Sequence, residues 1–248
     1  AASDVYKRQM SILSDISIAN RCNHNAVENF IATVRETEKR HLSLGIGAYS
    51  SEEELQRLAA EELARRPPAM ITPFHPESVK RVEDRKIISK GLTSFGYDVS
   101  LASEVKIFSN IHSAEIDPKR FDQDKCLIEP IIRKDTDGAE YVTLPANSYL
   151  LGPTEEYFHI PRDIMVICVG KSTYARSGVV INTTPIEPGF EGQVVIEVYN
   201  GTTSPVRIYL NEGIAQFLFL KGDQACKVSY KDRAGKYMGQ TGITMSKV

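Results

Sequence analysis

The chain has 248 residues, 42% of them hydrophobic and 25% charged, with a formal net charge of −2. That length allows a sizeable core, and the near-neutral balance lacks the clustered excess of Lys and Arg that sequence-independent nucleic-acid binding needs. No apolar run approaches the roughly 20 residues that span a bilayer and no secretory signal is visible, so neither nucleic acid nor membrane is expected as a partner.

Residues 1–9, AASDVYKRQ, precede the first methionine, Met10, show no periodicity and read as a leader that is not part of the native chain. Residues 10–69 read as an N-terminal helical segment. Val27, Phe30, Ile31 and Val34 fall at helical spacing, and so do Leu55, Leu58, Ala59 and Leu63. Ser50 or Ser51, ahead of three glutamates that suit a helix N-terminus, starts the second helix. Arg65 and Arg66 before Pro67-Pro68 end it. Joined by the glycine-containing link GIGAYS, the two form a helical hairpin, read as an accessory packing element.

From about residue 85 the texture changes. Short β-branched runs recur between turn residues: VSLASEVKIF, YVTLP, SYLLG, DIMVICV, GVVINTT, GQVVIEVY, PVRIYL and GIAQFLFL. Many short strands punctuated by Gly, Pro and Asn predict a mainly β fold, an antiparallel sandwich or barrel. The polar, glycine-rich KDRAGKYMGQTGITM reads as a tail. Four scattered cysteines (Cys22, Cys126, Cys168 and Cys226) include no C-x-x-C pair, which favours reduced thiols and a cytoplasmic protein; Cys168, inside IMVICV, reads as core.

GKST at 170–173 resembles the end of a phosphate-binding P-loop, but that motif needs a glycine five residues earlier, where Met165 stands, and a helix afterwards. Gly178, a Val-Val-Ile run and Pro185 follow instead, so the P-loop reading fails. A Gly-Lys-Ser-Thr turn with Arg176 close behind remains an anion site in search of its phosphate.

In GQVVIEVYN, Val194, Ile196 and Val198 share one face of a strand, while Gln193, Val195, Glu197 and Tyr199 share the other. The first face suits a core. The second sets a carboxylate between Val195 and Tyr199, where an apolar setting raises its pKa toward that of a general base; from this strand alone, a solvated surface glutamate is the simpler reading.

GKSTYAR, TTPIEPGFEG, VVIEVYN, NEGIAQ and SYKDRAGKYMGQTG, in that order and spacing, together with SFGYDV at 94–99, closely resemble the dCTP deaminases of the trimeric dUTPase-like superfamily. The resemblance runs from about residue 70 to the end. It implies a distorted jelly-roll-like β-barrel or sandwich over 70–229, a tail at 230–248 that closes over the nucleotide, and a homotrimer whose sites are shared between subunits. Its implied chemistry is attack of water on C4 of the cytosine of dCTP, giving dUTP and ammonia. Glu197 is then the proton shuttle, with Ser172 and Arg176 positioning the water and stabilising the site. The turn Lys171, Ser172, Thr173, Tyr174, Ala175 and Arg176 would line the nucleotide and its phosphates. Glu187, Val195, Ile196, Gln216, Tyr230, Lys236 and Gln240 match further nucleotide contacts.

Lys171, Arg176 and Lys236 supply positive charge for a triphosphate, whose Mg²⁺ would ride on the phosphates. Zinc-dependent nucleobase deaminases carry H-x-E followed by P-C-x-x-C. His75-Pro76-Glu77 spells the first part, but no C-x-x-C exists, and His24, His41, His112 and His159 lack ligand spacing. No zinc is therefore expected. Two departures stand out: residues 24–68 look inserted, and Phe190 occupies a place where tryptophan is frequent. Two rivals remain. One is a dUTP pyrophosphatase or bifunctional enzyme, with Glu187 of IEPGF in the place of the hydrolases' aspartate; the other is a nucleotide-binding regulatory module without catalysis.

Overall fold

A computed structural model describes residues 11–44, 50–109 and 115–247; the stretch 1–9, read above as a leader, and most of the GIGAYS link lie outside them. Helices Asp15–Arg21, Ala26–Ser43 and Glu52–Arg65 come first. The last two pack against each other as a hairpin, burying Leu55 and Ala59 at the seam, while Leu63 of the same predicted stripe is exposed. The sequence left Ser50 and Ser51 as alternatives for the cap. Ser51 takes it, its hydroxyl accepting the Glu54 N–H at 3.1 Å, because Ser50 is occupied: its N–H and hydroxyl both donate to Glu38 Oε1.

The remainder is mainly β, as its alternating pattern predicts. In the first sheet, strand Gly213–Lys221 is flanked by Ile164–Gly170 on one side and by Gly96–Ser100 and Ser11–Ile12 on the other, with Arg85–Thr93 and Val79–Val82 continuing outward. In the second, the order Val179–Asn182, Glu191–Asn200, Tyr149–His159, Lys106–Phe108, Leu127–Ile128 is joined by Ile71–Thr72. Three short strands, Val206–Tyr209, Glu140–Leu144 and Arg133–Lys134, make a third sheet. The ladders between these strands are antiparallel.

The inward faces supply one core: Tyr97, Val99, Phe217 and Phe219 from the first sheet, and Leu150, Phe158, Ile196 and Val198 from the second, all fully buried. Phe158 meets Phe217 at 5.2 Å between ring centroids, across the gap between the sheets. The sheets stay open rather than closing into a barrel, so the sandwich is the observed form.

Strand Tyr149–His159 is bulged between Pro153 and Tyr157. At the bulge Thr154 Oγ1 accepts the Val194 N–H at 3.0 Å and donates to the Glu156 carbonyl at 2.7 Å. Glu156 turns into the core, where it accepts both the N–H and the hydroxyl of Ser100; burial pushes its carboxyl up to about 7.

Candidate active site

Strand Glu191–Asn200 alternates as its sequence requires. Val194, Ile196 and Val198 enter the core, and Glu197 points to the opposite face. There it stands beside Leu151 on one neighbouring strand and Asn182 on the other. Its Oε2 is buried and has no hydrogen-bond partner among the described residues. Burial therefore raises the carboxyl from 4.5 to about 7, since desolvation penalises the charged form. Burial, with the Glu197 charge adding to it, raises the Tyr149 hydroxyl and pushes the Cys168 thiol up to about 12. Cys168 is thus a half-buried neighbour of the carboxylate as well as a core-packing residue.

Glu197 lies in a cavity of about 830 Å³, a volume that accommodates a nucleotide-sized ligand. Val195, Glu187, Tyr230 and Gln240 line the same cavity. Gln240 Oε1 is a second buried acceptor without a partner, so the cavity offers two acceptors to a ligand that carries donors. Glu187 is ion-paired to Arg233 of the tail segment. Tyr230 packs its ring 5.9 Å from that of Phe190, so phenylalanine at 190 still supplies an aromatic contact. The Tyr230 hydroxyl accepts the Tyr237 N–H at 3.1 Å.

The other predicted residues lie elsewhere. Ile196 is fully buried, as its place on the inward face demands. The turn that follows Gly170 is a single helical turn, Ser172–Ala175, and it does not line the cavity. Within it Tyr174 is buried, its hydroxyl accepting the Tyr209 N–H at 3.0 Å. Lys171 is turned onto the first sheet, where its Nζ is ion-paired to Asp98 and donates to Ser89 Oγ at 3.1 Å. Gln216 closes that cluster, donating to Thr93 Oγ1 at 3.1 Å and to Asp98 Oδ1 at 3.4 Å. Ser172, Thr173, Ala175 and Arg176 are exposed. Lys236 is tied to the end of its own tail, donating to the Lys247 carbonyl at 3.0 Å. One chain thus presents two separate groups: a carboxylate cavity, and an outward-facing Ser-Thr-Arg turn pinned from behind by Lys171 and Tyr174.

His75 sits in a loop whose backbone N–H donates to the Tyr97 hydroxyl, and burial lowers its imidazole, with Lys90 adding to the effect. Among the described residues no group of three or more His, Cys, Asp or Glu side chains gathers as metal ligands, and no helix is long and apolar enough to cross a membrane.

A dCTP deaminase-like family model matches residues 51–222, more than half the chain and including Glu197 and the Ser172–Arg176 turn. The chain belongs to the dCTP deaminase-like family. Its relatives include the dCTP deaminase of Laribacter hongkongensis, 49% identical over 195 residues that cover 79% of this chain and 96% of that protein. The dCTP deaminase of Pseudomonas aeruginosa is 49% identical over 197 residues, covering 79% and 97%. Among solved structures, the 2'-deoxycytidine 5'-triphosphate deaminase of Agrobacterium tumefaciens aligns over 53% of this chain and 39% of that one, with TM-score 0.40 and 15% identity, a likeness too low to decide anything. The match to the dCTP deaminase-like family starts at residue 51 and so takes in helix Glu52–Arg65, while helix Ala26–Ser43 precedes it.

Sequence reasoning missed the aromatic wall of this family member's cavity. Tyr149 stands opposite Tyr199 on the next strand, Phe108 meets Tyr149 edge-on at 5.4 Å, and Phe121 backs Phe108 at 5.9 Å. The alternation of SYLLG places Tyr149 on the same face as Leu151, but only the strand register brings that face beside Glu197. Asp98 was also missed, though it sits inside SFGYDV. The Asp98–Lys171 pair is nearly buried, with side chains 8% and 11% exposed, so removing one partner strands the other charge. Asp98→Ala is therefore expected to destabilise the fold by about 3 kcal/mol, read as a lowered urea midpoint at unchanged m-value.

Proposed function

We propose that this chain hydrolytically deaminates dCTP to dUTP and ammonia, with Glu197 as the proton shuttle. The observation that carries the reading is the Glu197 carboxylate, held up to about 7 by burial, with a partnerless oxygen in a nucleotide-sized cavity. A group with a pKa near the working pH can both take and return a proton. Glu197 removes a proton from water as its oxygen bonds to C4, and delivers that proton to N3 of the ring. The tetrahedral centre then gives its hydroxyl proton to Glu197. The carboxyl passes it to the departing amino group as the C4–N bond breaks, so water and dCTP become dUTP and ammonia with no proton left over. Gln240 Oε1 offers a second acceptor to the bound ligand.

The names of the relatives support the substrate. The outward turn of a neighbouring subunit lines the nucleotide and its phosphates, with its exposed Ser172 and Arg176 positioning the water and stabilising the reacting centre, and Mg²⁺ rides on the triphosphate rather than in a protein cage. No zinc is invoked: the carboxylate performs the activation of water. A homotrimer with shared sites is favoured by an outward apolar face on the strands around the turn, where Ile167, Val169, Val180 and Tyr199 are all exposed and Val180 and Tyr199 are cross-strand partners. Such a face on a soluble chain calls for a partner surface.

Glu187 shares the cavity with Glu197, which keeps a bifunctional enzyme releasing dUMP as the second reading; its pairing with Arg233 argues against a free water-activating carboxylate. Incubation with dCTP and Mg²⁺, resolving dUTP, dUMP and pyrophosphate, separates the two. The expected products are dUTP and ammonia alone. Pyrophosphate with dUMP would make the enzyme bifunctional, and tight dCTP binding without turnover would make it a regulatory module.

A further inference from the structure

We propose that Gln193 is a positioning residue that docks the C-terminal segment 239–246 across the Glu197 cavity and thereby sets the affinity for the nucleotide. This rests on the reading of that cavity as the nucleotide site. Gln193 lies four residues before Glu197 on the same strand and face, yet it does not line the cavity. All its hydrogen-bonding groups are spent on holding the tail or on holding itself for the tail. Its backbone N–H donates to the Gln240 carbonyl at 2.9 Å, and its carbonyl accepts from Gln240 Nε2 at 2.6 Å. Its side-chain Oε1 accepts the Gly242 N–H at 2.7 Å. Its Nε2 donates to the Thr154 carbonyl at 2.8 Å, which anchors the amide in the bulge of the neighbouring strand and fixes which end faces Gly242.

The backbone on both sides is shaped for this contact. Gly192 forms an isolated parallel bridge with Gln240; at φ +144 it leaves room that a Cβ would take, 3.0 Å from the Gln240 carbonyl oxygen. Gly242 has φ +70, and a Cβ there would stand 2.7 Å from the Glu104 carboxylate, which also accepts the Ile243 N–H at 3.5 Å. The segment so held carries Gln240, Thr244, Met245 and Ser246 into the wall of the cavity. Nothing in the catalytic chemistry requires a glutamine at 193; its amide oxygen serves the tail and its amide nitrogen the bulge.

The test compares wild type with Gln193→Ala in the full-length protein by two measurements. Amide hydrogen exchange of residues 239–246, with no nucleotide present, is expected to speed up about tenfold in Gln193→Ala, the loss of one well-placed hydrogen bond and its support. Steady-state kinetics are expected to show KM for dCTP raised about tenfold with kcat within about twofold, because ground-state and transition-state binding weaken together. In a Gly242→Ala background, where the segment is already displaced, Gln193→Ala should add less than about twofold to KM, since the two act through one contact. Unchanged exchange in Gln193→Ala overturns the inference, as does faster exchange with unchanged KM, or a full additive effect in the Gly242→Ala background. A wild-type protein that does not turn over dCTP defeats the functional reading instead, and the exchange measurement still decides whether Gln193 docks the segment.

Discussion

Glu197→Gln is expected to lower kcat for dCTP deamination by about 10²–10⁴-fold, the range that a positioned general acid–base supplies, while leaving the protein folded and able to bind dCTP. The amide keeps the size of the side chain but cannot accept and return a proton. The variant also separates catalysis from stability. The folded-state pKa of Glu197 is raised from 4.5 to about 7, so the native state holds its proton more tightly than the unfolded chain does. That contribution to stability is present below about pH 4.5 and is lost as the pH rises to about 7. Glutamine does not titrate, so at pH 8 the variant should be at least as stable as wild type in urea. A fall in activity accompanied by unfolding would remove the assignment. In the wild type, kcat/KM should decline below about pH 7, as protonation of Glu197 removes the base form. A profile flat through pH 5–8 would mean that another group shuttles the proton.

Mixing two inactive variants should restore activity. The cavity that holds Glu197 and the turn that carries Ser172 and Arg176 are separate on one chain, and the proposed shared site joins the cavity of one subunit to the turn of another. Arg176→Ala alone is expected to lose about 10²-fold or more in kcat/KM, the cost of removing a charged group that stabilises the reacting centre. Denatured together and refolded at equal amounts, Glu197→Gln and Arg176→Ala chains assemble at random in a closed ring. About one site in four then pairs an intact Glu197 with an intact Arg176, and recovered activity should approach a quarter of wild type. No recovery, with mixed oligomers demonstrated by mass, would place both residues of each site in a single chain.

Much of this arrangement was legible in local pattern, because alternation along a strand depends only on the two-residue repeat of the backbone. Val194, Ile196 and Val198 went inward and Glu197 outward as their order required, and the two predicted helices pack against each other, with Leu55 and Ala59 of the second stripe buried. The single strand left Glu197 open to reading as a solvated surface acid. Burial by the strands of Leu151 and Asn182, and by the tail, supplied what that strand alone did not. For Lys171 the motif suggested a phosphate ligand, whereas the fold gives it to Asp98, 73 residues earlier in the chain. Charge and spacing show that a lysine is near a turn; which partner it meets depends on which sheet lies behind that turn.

The sequence by itself determined the mainly β class, the two-helix hairpin and the family, and it singled out Glu197 as the candidate proton carrier, since each rests on short-range periodicity or on ordered motifs. Only the tertiary structure decided which motif residues share a cavity and which serve as pins. It also decided that Tyr149 and Phe108 wall the cavity, that Gln193 accepts the Gly242 N–H, and that Lys236 bonds to the end of its own tail. Those assignments follow from strand register and from contacts between residues far apart in the chain. A shift of one residue in register would turn Tyr149 and Leu151 to the core and leave Glu197 facing different neighbours.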